Sequence, residues 1–153
     1  MGELSLDEAA GPVLVEAALE AARHAHAPYS RFAVGAALLM SDGEIVTGTN
    51  FENASYGLSL CAETVALATA NSAGRLRDVV AVGVIGGAMT RGGLTGDAPI
   101  YPCGRCRQML HEAADLGGRD LLIFCASADG AVVRRHRLSE LLPHAFGPSD
   151  LTP

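Results

Sequence analysis

Lysine is absent from this chain of 153 residues, so all eleven basic residues are arginines. That absence excludes chemistry that needs a lysine side chain: a P-loop lysine, a pyridoxal Schiff base or a lysine general base. Acidic residues outnumber arginines by 17 to 11, which gives a net charge of −6. Tight nucleic-acid binding relies on neutralising phosphates. An acidic chain with few charges suits it poorly, and we expect no nucleic-acid partner.

Long hydrophobic runs are also absent. No run approaches the roughly 20 apolar residues that a membrane-spanning helix needs, so we expect no membrane association. Residues 1–20 carry early acids and no basic segment, which is unlike a secretory signal. Apolar residues make up 49% of the chain, enough for a core and too many for intrinsic disorder. We find no repeat and no linker, and expect one domain over residues 1–153, located in the cytoplasm.

The order of the predicted elements indicates the fold class. Ser5 and Glu8 have capping-box spacing and predict a helix that continues to about Ala27. Hydrophobic patterns and turn residues then predict two hairpins, a central strand, two long helices and a short one. Glycine-rich residues 86–102 are predicted to form a long loop, a feature that is usually functional. This α-β-β-α-β-α-β-β-α order predicts an α/β fold with helices on both faces of one sheet.

Three of the four cysteines lie at the starts of predicted helices. Cys61 begins one helix, and Cys103 and Cys106 form a C-x-x-C at the start of another. Free N–H groups and the helix dipole favour thiolates at such positions. Three thiolates can occupy three corners of a tetrahedral zinc site and leave the fourth open, as in catalytic zinc sites. Glu63 can face that open corner and accept a proton there, whereas Cys125 is expected to be a core residue.

A lone C-x-x-C is a weak signal, and two other interpretations stay open. It also occurs as half of a structural zinc site and as a redox dithiol. A second C-x-x-C is absent, and this one does not follow a first strand as in thioredoxin, which disfavours both. The five histidines lack ligand spacing near the cysteines. We expect His24 and His26 to be solvated and His111 to serve in packing.

Two cysteine motifs carry a family resemblance. Cys-Ala-Glu at 61–63, followed by Pro-Cys-Gly-Arg-Cys-Arg-Gln at 102–108, resembles the signature of zinc nucleoside deaminases. Residues 27–38 and 50–58, with Glu-Leu-Leu-Pro at 140–143 and Phe-Gly-Pro at 146–148, look like the small homotetrameric cytidine deaminases. The resemblance extends over about residues 13–151.

The resemblance implies a three-layer αβα sandwich with a five-stranded mixed sheet. It implies zinc-dependent hydrolytic deamination of cytidine and deoxycytidine in pyrimidine salvage, with one Zn²⁺ per subunit and no organic cofactor. In a homotetramer with shared active sites, the implied zinc ligands are Cys61, Cys103 and Cys106, with Glu63 as the proton shuttle. The implied substrate contacts are Asn50 and Glu52 to the ribose, Phe32 and the Ala62 N–H to the base, and Tyr56 and Phe146 in a neighbouring subunit's site.

Simpler explanations exist for several of these residues. Phe32 is also consistent with core packing, Asn50 and Glu52 with turn chemistry and solvation, and Phe146 with C-terminal packing. A non-catalytic zinc module would not require Glu63. A polynucleotide editor would need a basic channel, but the dense basic stretch at 134–137 is predicted to be a solvated face.

One position departs from the family pattern. Many members have an arginine directly after the glutamate, near the thiolates, but here that residue is Thr64. A neutral residue leaves the negative charge of three thiolates to be offset elsewhere, and Arg105 and Arg107 are the nearest candidates in sequence.

Deaminases of cytosine-nucleoside antibiotics such as blasticidin S also lack this arginine, so they remain an alternative. The segment Asn-Phe-Glu-Asn at 50–53 favours a plain nucleoside.

Overall fold

The structure is a computed structural model and describes residues 6–152. Its helices are α1 (Leu6–Ala22), α2 (Ala62–Ser72), α3 (Gly104–Gly117), α4 (Leu138–Leu141) and α5 (Pro148–Leu151). Its strands are β1 (Phe32–Met40), β2 (Ile45–Thr49), β3 (Val79–Thr90), β4 (Gly93–Thr95), β5 (Leu122–Ala126) and β6 (Val133–Arg137). Ser5, half of the predicted capping box, lies outside the described residues. No helix in the described part of the chain has the length and hydrophobicity needed to cross a bilayer.

The sheet is mixed, and its strands lie in the order β2-β1-β3-β5-β6. Only the β3–β5 pair is parallel among these neighbours, since β1 pairs antiparallel with both β2 and β3, and β6 antiparallel with β5. The parallel pair requires a crossover connection, which here contains α3. The α/β fold with a mixed sheet is confirmed, but the predicted count of five strands is wrong. A sixth strand, β4, pairs with the end of β3.

The extra strand lies in the segment predicted to be a loop. β3 continues through Gly86 and Gly87 to Thr90, and β4 returns beside it. These two positions of β3 are glycines because neighbouring atoms leave no room for a side chain. A Cβ on Gly87 would lie 2.6 Å from the Thr95 carbonyl oxygen, and one on Gly86 would lie 2.6 Å from the Ile100 side chain. These glycines therefore allow close packing, and the predicted loop is shorter than expected.

Helices cover both faces of the sheet, which gives the three layers expected. α1 packs on one face, where Leu14 and Ala18 are fully buried with Ile85. α1 passes through Pro12 and ends at Ala22, earlier than predicted. The backbone of His26 explains the early end, because it exchanges hydrogen bonds with Asn50 and Glu52 instead of continuing the helix.

α2 and α3 lie on the opposite face and bury the larger core, which includes Leu38, Leu67 and Leu110. α2 approaches β2 closely at Gly48, where a Cβ would lie 2.4 Å from the backbone nitrogen of Ala66. α3 ends at Gly117 and is followed by Gly118, whose φ of 64° is the left-handed conformation typical of the residue after a helix. This packing brings the beginnings of α2 and α3 together above the sheet.

Candidate active site

Three thiols meet where α2 and α3 begin. The sulfur atoms of Cys61, Cys103 and Cys106 all lie within 4.8 Å of one another. The Sγ atoms of Cys61 and Cys103 are 3.7 Å apart. Two thiolates in a tetrahedral zinc site, each about 2.3 Å from the metal, would be separated by about 3.8 Å. The cluster therefore has the donor type and spacing that zinc requires.

Helix capping places these sulfurs. Cys61 is the N-cap of α2, with an extended backbone at φ −74° and ψ 155°. Cys103 is the N-cap of α3, and its Sγ accepts the N–H of Cys106 at 3.5 Å. Cys61 and Cys103 thus precede their helices by one residue instead of beginning them, whereas Cys106 lies in the first turn of α3. The positive ends of both helix dipoles lie beside the sulfur cluster and favour thiolates.

The thiols of the cluster differ in acidity. A hydrogen bond with Cys106, helped by a second one with Cys103, lowers the pKa of Cys61 to about 6 despite partial burial. The bond shared with Cys61, together with burial, raises the pKa of Cys106. Cys125 is separate from the cluster. It is fully buried in the core, as expected, and burial raises its pKa to about 12.

Glu63 is buried beside the cluster, in the first turn of α2. It is only 4% exposed, yet it lines the same cavity as Cys61 and Cys103. Burial, reinforced by the negative charge of Cys61, raises the pKa of its carboxyl above the ordinary value. A carboxyl that holds its proton more tightly than usual is suited to accepting and returning a proton near neutral pH.

The cavity itself has a volume of about 310 Å³. It brings together most of the residues predicted from the sequence, namely Cys61, Ala62, Glu63, Cys103, Phe32, Asn50 and Glu52. Cys106 lies behind the wall and is fully buried. The cavity therefore has sulfur ligands and a carboxyl at one end, an aromatic ring, and two polar side chains.

Both polar side chains are partly committed to the protein backbone. The Asn50 amide makes two hydrogen bonds with the backbone of β1. The Oε1 atom of Glu52 accepts the N–H groups of Tyr29 and Ser30, at 3.0 and 3.1 Å. The hydrogen bonds from Ser30 and Tyr29 lower the pKa of Glu52, so it is ionised at neutral pH. The described backbone hydrogen bonds use neither the other oxygen of Glu52 nor the remaining hydrogen and lone pair of the amide, and these atoms can bond to a ligand.

Phe32 stands at the entrance of the cavity instead of in the core, with 38% of its surface exposed. Arg31, immediately before it, has a left-handed backbone with φ 57°, which is unusual for a residue other than glycine. Hydrogen bonds hold this conformation: the Arg31 N–H donates to the Ala27 carbonyl, and the Arg31 carbonyl accepts the N–H of Met89. The strained turn is the point at which the chain enters β1 and presents the Phe32 ring.

Tyr56 and Phe146 do not line this cavity. Tyr56 is 71% exposed, and its ring lies 5.4 Å from that of Tyr29, in an adjoining cavity that shares Glu52. Phe146 is 61% exposed, and its carbonyl accepts a hydrogen bond from the Gln108 side chain at 2.7 Å. In this chain, these two rings are separate from the cavity that holds the other predicted residues.

Five residues of the cavity wall were missed in the sequence, namely Val34, Ser59, Leu60, Ile100 and Tyr101. Gly86 leaves the space that the Ile100 side chain occupies. The Tyr101 ring lies 5.5 Å from the ring of His136. For Ile100 and Tyr101 the available signal was their position directly before Pro102 and Cys103, and for Ser59 and Leu60 it was their position directly before Cys61, since residues that flank a metal ligand tend to line the same site.

The arginines near the cluster have different roles. Arg107 donates from Nε to the Pro102 carbonyl and from Nη1 to the Leu141 carbonyl, both at 2.8 Å, and so ties the Cys103 loop to α4. The charge of Arg105 contributes to the low pKa of Cys61. The hydroxyl of Thr64 lies 3.5 Å from the sulfur of Cys106.

Comparisons with known proteins agree with this geometry. Residues 12–116 match the family model of the cytidine and deoxycytidylate deaminase zinc-binding region. A cytidine deaminase of Halalkalibacterium halodurans is 45% identical over 139 residues, which cover 91% of this chain and 96% of that protein. One from Mycobacterium tuberculosis is 47% identical over 134 residues, 88% of this chain and 87% of its own. The crystal structure of the cytidine deaminase from Burkholderia pseudomallei superposes with a TM-score of 0.76 at 43% identity, covering 88% and 98% of the two chains.

Proposed function

This chain belongs to the cytidine and deoxycytidylate deaminase family, and from that premise we propose that it hydrolyses cytidine, and also deoxycytidine, to the uracil nucleoside and ammonia. The observation that carries the proposal is the position of Glu63. Its buried carboxyl lines the same cavity as Cys61 and Cys103, two of the three clustered thiols. A structural zinc site would need no acid there.

The thiol cluster would hold one Zn²⁺ per subunit through Cys61, Cys103 and Cys106. The metal would supply a Lewis acid that makes water a better nucleophile near neutral pH. Glu63 accepts the proton of that water and transfers it to ring N3. Once the water oxygen has bonded to C4, Glu63 takes the second proton from that oxygen and delivers it to the amino group. The C4–N4 bond then breaks, ammonia leaves, and the oxygen remains on C4 as the carbonyl.

The rest of the cavity orients the nucleoside. The Phe32 ring can stack on the pyrimidine, and the N–H of Ala62, in the first turn of α2, can donate to the base. The free Glu52 oxygen and the free hydrogen of the Asn50 amide suit sugar hydroxyls, as acceptor and donor. These contacts fix the base with its amino-bearing carbon towards Glu63 and the cluster, which is the positioning that the reaction needs.

The charge of the cavity favours a nucleoside over a nucleotide. Its carboxyl groups are those of Glu52, which is ionised at neutral pH, and Glu63, and none of the cavity residues that the structure describes is an arginine or a histidine. A phosphate on the sugar would meet a carboxylate without a compensating cation, which disfavours binding. Deoxycytidylate is therefore the weaker candidate within this family.

We further propose a homotetramer in which subunits share active sites. Tyr56 and Phe146 support this, because both expose large rings and neither lines the cavity that the described residues form beside the thiol cluster. Three free thiols as ligands suit a reducing compartment, which supports a cytoplasmic location and a role in pyrimidine salvage.

The direct test is the loss of cytidine absorbance on incubation with the purified chain, with and without a chelator. We expect turnover that the chelator abolishes and added zinc restores. Deoxycytidine, deoxycytidylate and blasticidin S, assayed in parallel, distinguish the nucleoside enzyme from the alternatives. Glu63→Gln should retain zinc and lower kcat by at least about 100-fold, the lower range for a lost general acid–base. Full activity in that variant would contradict the mechanism.

A further inference from the structure

Thr64 directs its hydroxyl at a sulfur of the cluster instead of at its own helix. Its Oγ1 lies 3.5 Å from Cys106 Sγ, and the residue is only 7% exposed. Threonine within a helix commonly donates to the carbonyl four residues earlier. Thr69, also on α2, does so, since its Oγ1 donates to the Val65 carbonyl at 2.8 Å. The two threonines of one helix thus use the same hydroxyl in different ways.

The three sulfurs of the cluster differ in the hydrogen-bond donor or cation that stabilises each of them. Cys103 accepts the N–H of Cys106 at 3.5 Å, and Cys61 lies in the field of Arg105. Cys106 is fully buried and faces the negative charge of Glu63. The guanidinium of Arg107, the other nearby cation, donates to the carbonyls of Pro102 and Leu141. Among the described residues outside the cluster, Thr64 is therefore the neutral hydroxyl that contacts the Cys106 sulfur, whereas Glu63, which also reaches this sulfur, is an acid and adds negative charge there when it is ionised.

We propose that Thr64 is a positioning residue of the metal centre, whose hydroxyl donates to Cys106 Sγ, fixes the direction of that ligand and offsets part of its negative charge. The inference rests on the proposed function, in which the cluster holds zinc. Hydrogen bonds to a charged acceptor are stronger than neutral ones, particularly where water is excluded. Groups that hydrogen-bond to metal ligands commonly change metal affinity by about 10–100-fold when they are removed.

The test compares zinc affinity in full-length variants by competition with a chromophoric chelator. Thr64→Val removes the hydroxyl and keeps the shape, Thr64→Ser keeps the hydroxyl, and Thr69→Val is the control on the same helix. We expect zinc affinity to fall about 10–100-fold in Thr64→Val and to remain near that of the original chain in the other two. The cobalt(II) form should show a shifted thiolate-to-metal band in Thr64→Val only, which a purely structural role would not produce.

Equal zinc affinity in Thr64→Val and the original chain would overturn the inference. Should Thr64→Val fail to fold without metal, Thr64→Ser and Thr64→Ala, which differ by the hydroxyl alone, replace it, and equal affinity in that pair would also overturn it. If the unmodified chain bound no zinc, the proposed function itself would fail, which is a distinct result.

Discussion

The side chain of Asn50 forms hydrogen bonds with the backbone on either side of Ala33. Its Nδ2 donates to the Phe32 carbonyl at 2.8 Å, and its Oδ1 accepts the N–H of Val34 at 2.9 Å. One polar side chain thus holds the start of β1, and with it the aromatic ring at the cavity entrance. The sequence motif suggested a ligand contact for Asn50, and the structure adds this second role.

Replacing Asn50 should therefore affect both stability and substrate binding. In Asn50→Ala, the Val34 N–H and the Phe32 carbonyl lose their partners, which should cost about 1–3 kcal/mol of unfolding free energy. KM for cytidine should rise as well, because Phe32 is no longer held. Chemical denaturation and steady-state kinetics measure the two effects. Asn71→Ala, at an exposed position on α2, is the control and should change neither quantity.

Glu52 allows charge and structure to be separated. Glu52→Gln keeps one oxygen for the N–H groups of Tyr29 and Ser30, so the melting temperature should change little. KM should still rise, since the amide is a weaker acceptor than a carboxylate for a sugar hydroxyl. Because the pKa of Glu52 is lowered, the difference in KM should persist across neutral pH. A KM equal to that of the original chain would remove Glu52 from the proposed binding residues.

The sequence was sufficient where the signals are local. Apolar runs and turn residues predicted two hairpins, and β1 with β2 forms the first of them. The two cysteine motifs predicted that α2 and α3 begin beside one another, because three thiols with a neighbouring acid have few other reasons to occur at helix starts.

The sequence did not allow prediction where the role of a residue depends on a contact with a residue that is distant in the chain. Gly86 and Gly87 looked like loop residues, but they are small because Ile100 and Thr95 approach them in space. Likewise, the end of α1 is decided by the bonds of His26 to Asn50 and Glu52, which no local pattern of helix residues contains. Tyr101 became a cavity residue only when the fold placed it beside Cys103.

The cysteines should differ in alkylation by iodoacetamide in the metal-free protein. Because its pKa is lowered to about 6, the reaction rate of Cys61 should rise up to about pH 6 and then level off, whereas an ordinary thiol continues to gain reactivity above pH 8. Zinc should protect Cys61, Cys103 and Cys106. Cys125 should stay unlabelled in the folded chain, because it is fully buried. Peptide mass spectrometry reads each site, and labelling of Cys61 in the presence of zinc would contradict its role as a ligand.

Gly48 tests whether the packing of α2 sets the metal centre. In Gly48→Ala the new Cβ would lie 2.4 Å from the Ala66 nitrogen and 2.5 Å from the Ala62 oxygen, so the helix must move away from β2. We expect a loss of about 1–3 kcal/mol in stability, typical of overpacking, and weaker zinc binding because Cys61 caps this helix. Gly92→Ala, where nothing lies within 4 Å of the new atom, should leave both unchanged. Weakened stability with unaltered zinc affinity would show that the sulfurs are placed independently of this contact.

Glu63 should make the stability of the metal-free protein depend on pH in a defined direction. Its pKa is raised in the folded state, chiefly by burial, so the unfolded chain releases this proton at a lower pH than the folded one. Below the unfolded value, both states are protonated and the carboxyl has no effect on stability. As pH rises from there to the higher folded value, stability is lost, because folding must either retain a proton or bury a charge.

Glu63→Gln removes the ionisation, so the metal-free variant should melt at a higher temperature than the original chain at pH 7, with the gap closing towards pH 4. Calorimetry across this range measures it, with the exposed Glu112→Gln on α3 as the control. A gap of the same size at both ends would mean that the effect comes from packing and not from the buried charge.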